Sequence, residues 1–262
     1  MAINLLSELR QRNPIVLNLA NLVTIQDVAN GLNALGASPI MSAEVQEAEP
    51  LVQLAGAVCL NLGTLTTSQV AQMHAVGQFA AQYQKPVVLD PVAVGAVTYR
   101  KRVALELLAA LDVTVIRGNA GEIAALADVD WQARGIDAGT GNGDLVAIAR
   151  ACAQRFHCIV ILSGPTDVIT DGTRVAKVLN GTPLFQRHVG SGDLLSSIVA
   201  AFLAVSTDPF EAAQTACLVF AASGELVARQ LTANRPATFG IDLIDKLSLV
   251  SGPELTAIQK LE

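Results

Sequence analysis

The turn Val189-Gly190-Ser191-Gly192-Asp193-Leu194-Leu195 runs into a long apolar stretch, and its residue types suit chemistry on an anion. Two glycines let backbone approach a ligand closely, and the amides that follow project from a helix N-terminus toward negative charge. An aspartate at that point can simply complement the helix dipole. Beside an anion hole it can also take the proton of an alcohol while a phosphoryl group is transferred to the oxygen. Three other segments carry matching groups: Asp90-Pro91, Arg117-Gly118-Asn119-Ala120-Gly121-Glu122 and Ser163-Gly164-Pro165. Taken singly, Asp90-Pro91 is a turn, and Asn119 with Glu122 three residues on is a capping box. Taken together they bring two carboxylates and a guanidinium to one edge of one sheet, the make-up of a magnesium–phosphate site. No G-x-x-x-x-G-K-[ST] run occurs, which excludes a P-loop enzyme.

The elements that must position these groups are legible as short aliphatic runs alternating with longer helical patterns. Strands are predicted at Ile15–Leu19, Ser38–Met41, Ala57–Leu60, Pro86–Leu89, Val113–Ile116 and Cys158–Leu162. Their continuous apolarity suits a parallel sheet covered on both faces. Between them helices are predicted at Thr24–Leu35, Ala43–Leu54, Ser68–Gln82, Arg102–Ala110, Asn119–Ala127 and Gly143–Arg155. Val168–Thr170 and Arg174–Leu179 flank Asp171-Gly172, a hairpin signal. Helical patterns at Asp193–Val205, Pro209–Leu231 and Gly240–Leu249 follow. The expected architecture is a single α/β domain spanning 1–262, with a mostly parallel central sheet, helices on both faces and an antiparallel edge hairpin. Ligands of such sheets gather at the carboxyl ends of the strands, which is where the chemical residues fall. The glycine-rich run Gly139-Thr140-Gly141-Asn142-Gly143 lacks dinucleotide-fingerprint spacing and reads as a connection.

Composition narrows the function. The 262 residues are 52% apolar and 15% charged, too aliphatic for a disordered chain. A net charge of -6 without basic clusters argues against nucleic acid. The greasiest stretch, Leu194 to Val205, is too short to span a membrane and is closed by Ser206-Thr207-Asp208-Pro209. Met1 to Arg12 reads as an amphipathic helix, not a signal peptide, and Cys59, Cys152, Cys158 and Cys217 lack metal-ligand spacing. A cytoplasmic protein with reduced thiols is expected. His74, His157 and His188 are far apart in sequence, and Tyr83, Tyr99 and Trp131 are isolated; all are assigned to packing or surface roles.

Several ordered blocks resemble the hydroxyethylthiazole kinase family of the ribokinase-like superfamily. They are Asn13-Pro14 with Asn18 and Asn21, Leu35 to Met41, Asn61-Leu62-Gly63-Thr64-Leu65, Leu89 to Ala96 with Arg100, and Ile116 to Ile123. The resemblance implies a ribokinase-like three-layer sandwich and magnesium- and ATP-dependent phosphorylation of 4-methyl-5-(2-hydroxyethyl)thiazole in thiamin salvage. It implies Asp193 as general base and Gly190-Ser191-Gly192 as anion hole. Met41, Gly190 and Asn18 would meet the thiazole alcohol, and Arg117, Ser163 and Asn119 the nucleotide. Asp90 and Glu122 would serve Mg2+. A homotrimer with active sites between subunits is implied as well. The chain departs from the family at Asp193 (usually Cys, though Asp in the wider superfamily), Ser163 (usually Thr), Leu17 (usually His), Ala20 (usually Thr) and Pro165 (usually Glu). Two other readings share the Gly-Ser-Gly-Asp turn or the pocket: a nucleotide-dependent dehydratase of hydrated NAD(P)H, and a non-catalytic thiazole or nucleotide sensor.

Overall fold

A computed structural model describes residues 2–129 and 144–262. The predicted Gly139–Gly143 connection, the first residue of the predicted Gly143–Arg155 helix and Trp131 lie outside the described residues. The strands are β1 (Ile15–Leu19), β2 (Ser38–Met41), β3 (Ala57–Asn61), β4 (Val87–Asp90), β5 (Val115–Asn119), β6 (Ile159–Ser163), β7 (Asp167–Thr170) and β8 (Val175–Val178). They form one sheet in the order β2-β1-β3-β4-β5-β6-β7-β8, parallel through β6 and antiparallel at the β7–β8 edge. The helices are α1 (Ala2–Arg12), α2 (Ile25–Leu35), α3 (Ala48–Leu54), α4 (Thr67–Gln82), α5 (Thr98–Ala110), α6 (Ala120–Ala127), α7 (Leu145–Phe156), α8 (Ser191–Leu203), α9 (Pro209–Gln230), α10 (Pro236–Leu249) and α11 (Gly252–Ile258).

The strand period of two divides the core between two layers. Val16, Cys59, Val88, Val115 and Ile161 face a cluster with α1, α2 and α8 to α11. Leu17, Val58, Leu60, Leu89, Ile116 and Val160 face a cluster with α3 to α7. Helix α8 is buried along almost its whole length, which explains an apolar stretch with no charged residue after Asp193. The predicted sheet and hairpin are therefore observed.

The differences have local causes. Strands β3 to β6 extend one to three residues further at their carboxyl ends than predicted and take in Asn61, Asp90, Arg117, Asn119 and Ser163. Ladder pairing such as Asn61 with Asp90 and Asn119 with Ser163 holds these polar residues in strand geometry. The predicted Ala43–Leu54 helix begins only at Ala48, after a 3-10 turn at Val45–Glu47. Pro50 has no amide to bond back to Gln46, so it is tolerated only in a first turn. Helix α10 starts at Pro236, earlier than the predicted Gly240, because a proline suits that first position. Helix α11 was not predicted; Ser251 and Glu254 form its capping box.

The carboxylate of Glu225 on α9 ties the chain end to the sheet. It accepts from Asn180 Nδ2 at 2.8 Å and the Gly181 amide at 3.3 Å, and pairs with Lys260 at 2.6 Å and Arg229 at 2.7 Å. Burial opposes its ionisation, but the bonds from Lys260, Asn180, Gly181 and Arg229 outweigh burial and hold its pKa down to about 2. The ordinary value is about 4.3, so the bonds' stabilisation is complete above that pH and lost as pH falls through about 2. Glu225→Gln is expected to cost about 1–3 kcal/mol at pH 7. Its deficit in thermal or urea unfolding should shrink between pH 4 and pH 2; a deficit independent of pH would contradict this role.

Candidate active site

The site lies along the carboxyl ends of β1 to β6, against the N-terminus of α8. Asn18, Asn61, Asp90, Arg117 and Ser163 each stand two residues beyond a strand residue of the α8–α9 face, so strand periodicity turns all five toward that layer. Gly190 caps α8 in the left-handed conformation, with φ +96°, and a Cβ there would come within 2.7 Å of Thr24. Ser191 turns back to the His188 carbonyl, donating from its hydroxyl at 2.8 Å and its amide at 3.4 Å. The next amides, those of Gly192 and Asp193, belong to the first helical turn, where no intrahelical acceptor exists.

Arg117 packs directly on that turn. A Cβ at Gly192 would lie 2.3 Å from Arg117 Nη1, so only glycine admits the guanidinium. Arg117 Nη2 donates to Ser163 Oγ at 2.6 Å, and Nη1 lies 3.6 Å from Asp90 Oδ2. A guanidinium set against the positive end of a helix dipole concentrates positive potential at one point, which favours an anion there.

The carboxylates surround this point. Asp90, 1% exposed, accepts from Ser196 Oγ on α8 at 2.7 Å. Burial pushes its pKa up to about 7; Arg117 pulls it down, while Asp193 and Glu122 push it further up. Glu122 accepts from the Ala93 and Asn119 amides, each at 2.8 Å, and Asn119 Oδ1 accepts from the Glu122 amide at 3.0 Å. Burial raises Glu122 too, against those two amides and Arg117. Ala93 adopts φ +62° to present its amide, a strained backbone for a non-glycine residue.

Asp193 is held by the other half of the sheet. Its Oδ2 accepts from Asn21 Nδ2 at 2.7 Å and Thr24 Oγ1 at 2.6 Å, and its Oδ1 from Asn61 Nδ2 at 3.0 Å. Beside it a cavity of ≈ 10 Å³, room for about one water, is lined by Asn18, Ala20, Asn21, Cys59, Asn61 and Ser197 among others. Asn18 Oδ1 is buried without a hydrogen-bond partner among the described residues. Met41 ends β2 in register with Asn18 and packs on the α8 layer.

A family model described as the hydroxyethylthiazole kinase family matches residues 6–252. The chain belongs to the hydroxyethylthiazole kinase family. It is 74% identical to the hydroxyethylthiazole kinase of Lactiplantibacillus plantarum over 263 residues, covering all of both chains. It is 64% identical to that of Levilactobacillus brevis, again over 100% of both. The solved structure of hydroxyethylthiazole kinase protein from Pyrococcus horikoshii superposes with a TM-score of 0.91 at 33% identity, covering 100% of this chain and 98% of that one. The ADP complex of Bacillus subtilis pyridoxal kinase, with a TM-score of 0.61 at 19% identity, shares the fold. The protein is an enzyme of the kinase type on a ribokinase-like framework.

For this member of the hydroxyethylthiazole kinase family, the predicted residues converge: Asp90, Arg117, Ser163, Gly192 and Asp193 meet at α8, Asn18 lines the cavity, and Met41 stands beside Asn18 in the ladder. Leu17 does not join them; it is fully buried on the opposite face, among α3 to α7. Ala20 does line the cavity. Asn21, Thr24 and Asn61, the donors to Asp193, had no chemical role in the sequence analysis. The available signal was an asparagine at or just past the end of an aliphatic strand. The donor set suits magnesium, because it offers hard carboxylate oxygens with more negative charge than Arg117 neutralises. Among the described residues no three His, Cys, Asp or Glu side chains converge as a cage, which suits an ion that keeps waters and phosphate ligands.

Asp90, with its raised pKa, adds stability below about pH 4, its unfolded value, and that contribution is lost as pH rises through about 7. Asp90→Asn is therefore expected to melt above the unsubstituted protein at pH 8, by a margin that narrows toward pH 4, while losing turnover. Melting curves across that range, without ligand, check this; a margin that does not vary with pH would contradict it.

Proposed function

We propose that the protein transfers the γ-phosphoryl group of ATP to the hydroxyl of 4-methyl-5-(2-hydroxyethyl)thiazole, a step of thiamin salvage. The observation that carries this reading is Asp193 standing one residue beyond Gly192, the residue on which Arg117 packs, so that a base and an anion site share one helical turn. The match to the family over 6–252 supports the acceptor's identity.

The chain's own groups divide the work. Arg117, Ser163 and Asn119 bind the nucleotide, and the Gly190-Ser191-Gly192 turn with the first amides of α8 holds the transferring group. Asn18, Met41 and Gly190 bind the thiazole alcohol. The cavity beside Asp193 is too small for a ring, so it receives at most the hydroxyl end, and the ring lies outside it, on the side of Asn18 and its ladder partner Met41. Asp90 and Glu122 would hold magnesium, largely through water, where the ion neutralises phosphate charge. A carboxylate is too weak a base to strip an alcohol of its proton beforehand. Asp193 therefore accepts the proton as the bond to phosphorus forms.

Neighbouring loops around the mouth expose Leu22, Val23 and Val189 at about 70% each. Their cover by a second copy suits the homotrimer with shared sites that the resemblance implies. No described helix is long and apolar enough to cross a membrane, and the four cysteines are free and buried; a cytoplasmic location suits both.

The direct test is incubation with ATP, magnesium and the thiazole alcohol, with the phosphate ester as the expected product. Release of NADH from its hydrate without ester formation would instead support the dehydratase. Asp193→Ala is expected to cut turnover by roughly 10²–10⁴-fold, about 3–5 kcal/mol of barrier, with ATP and alcohol still bound. Asp193→Cys should keep measurable activity. Survival of Asp193→Ala turnover within a few-fold, with a melting temperature lowered by loss of a favourable charge in the first turn of α8, would rule out the base. Glu122→Gln is expected to lower turnover and raise the magnesium required. An unchanged magnesium titration would remove Glu122 from the ion's surroundings.

A further inference from the structure

An ionised carboxylate offers about four lone-pair positions, two on each oxygen. On Asp193 three are filled by side-chain donors. Asn21 Nδ2 and Thr24 Oγ1 both bond Oδ2, at 2.7 and 2.6 Å, and Asn61 Nδ2 bonds Oδ1 at 3.0 Å. The donors are themselves fixed. Asn21 Oδ1 accepts from the amides of Val23 and Thr24, which folds the segment after β1 into a turn under α8. Asn61 Oδ1 accepts from the Gly63 amide and from Asn21 Nδ2. Thr24 gives α2 no side-chain cap, and of the two acceptors its hydroxyl can reach, Asp193 Oδ2 at 2.6 Å is closer than Asn21 Oδ1 at 3.2 Å, so its one proton goes to Asp193.

We infer that Oδ1 of Asp193 is the atom that receives the acceptor's proton, and that Asn21 and Thr24 are positioning residues which saturate Oδ2 and lock the carboxylate in that orientation. The inference rests on the reading of Asp193 as base. In the step, the acceptor O–H bond breaks as its oxygen bonds phosphorus; the proton goes to Oδ1, and the bond from phosphorus to the leaving oxygen of the nucleoside diphosphate breaks with its electron pair. Oδ2 has no room for that proton while its two donors stay in place. A single vacant position also restricts the line along which a hydroxyl can approach, which is how orientation lowers the barrier.

Steady-state kinetics on three variants test this, with ester formation by the unsubstituted protein as control. Thr24→Val is nearly isosteric and removes one donor. It is expected to lower kcat about 10–100-fold, with KM for alcohol and for ATP within twofold. Thr24→Ser restores the hydroxyl and should restore kcat. Asn21→Asp keeps an oxygen for the Val23 and Thr24 amides but puts an acceptor where Oδ2 needs a donor, so kcat should fall at least as far. A Thr24→Val enzyme with unchanged kcat would overturn the inference, and so would one not rescued by Thr24→Ser. A drop explained wholly by lower melting temperature, with turnover per folded molecule unchanged, would also overturn it. In a crystal of the protein with the thiazole alcohol, the hydroxyl is expected within hydrogen-bond distance of Oδ1. Contact with Oδ2 instead would overturn the inference and leave Asp193 as base. No ester from the unsubstituted protein would overturn both.

Discussion

The packing of α8 on the sheet, with its N-terminus at the strand ends, is the contact on which the site depends. Four residues in the first two turns of α8 are tied down by it: Gly192 meets Arg117, Asp193 meets Asn21, Thr24 and Asn61, Ser196 meets Asp90, and Ser197 meets Cys59. The rest of α8 is apolar because it is enclosed by α2, α9 and the sheet. Burial of that apolar length supplies the hydrophobic energy that holds the polar N-terminus in register with the strands. A shift of α8 along its axis would separate Asp193 from its three donors and Gly192 from the Arg117 guanidinium at once.

That docking brings three carboxylates and one guanidinium into a poorly hydrated space. Burial raises the proton affinity of Asp90 and Glu122, and the acidic groups reinforce one another, with Arg117 as the opposing charge. Such an arrangement costs the unliganded protein stability, and a cation held by these carboxylates would relieve it. The strained backbone at Ala93, whose amide bonds Glu122, belongs to the same bargain between stability and function. Cys59, buried beside Asp193 and pushed to a high pKa by burial, stays a neutral thiol and contributes packing.

The sheet also separates two tasks by direction along one edge. The β1–β3 end carries Asn18 and Asn61 at the cavity, with Met41 beside Asn18 on β2, while β5 and β6 carry Arg117 and Ser163. Asp90 at the end of β4 and the N-terminus of α8 lie between these two groups. Leu17 shows how strictly the pleat enforces this division. One residue before Asn18, it faces the opposite layer and has no access to the cavity.

By itself the sequence determined the parallel sheet, the edge hairpin, the polar groups at strand ends and the glycine turn entering α8. Each of these is written in local periodicity or in residue types that few backbone conformations accept. It did not determine that strands β3 to β6 continue into Asn61, Asp90, Arg117, Asn119 and Ser163, because ladder pairing with a neighbour overrides the turn preference of those residues. Nor did it single out Asn21, Thr24 and Asn61 as the donors to Asp193, which lie 172, 169 and 132 residues away along the chain. A hydrogen bond depends on where two atoms finish in space, and no local pattern records that. Tertiary structure alone decided which carboxylate faces Arg117, which accepts from Asn21, Thr24 and Asn61, and which side of β1 looks into the site.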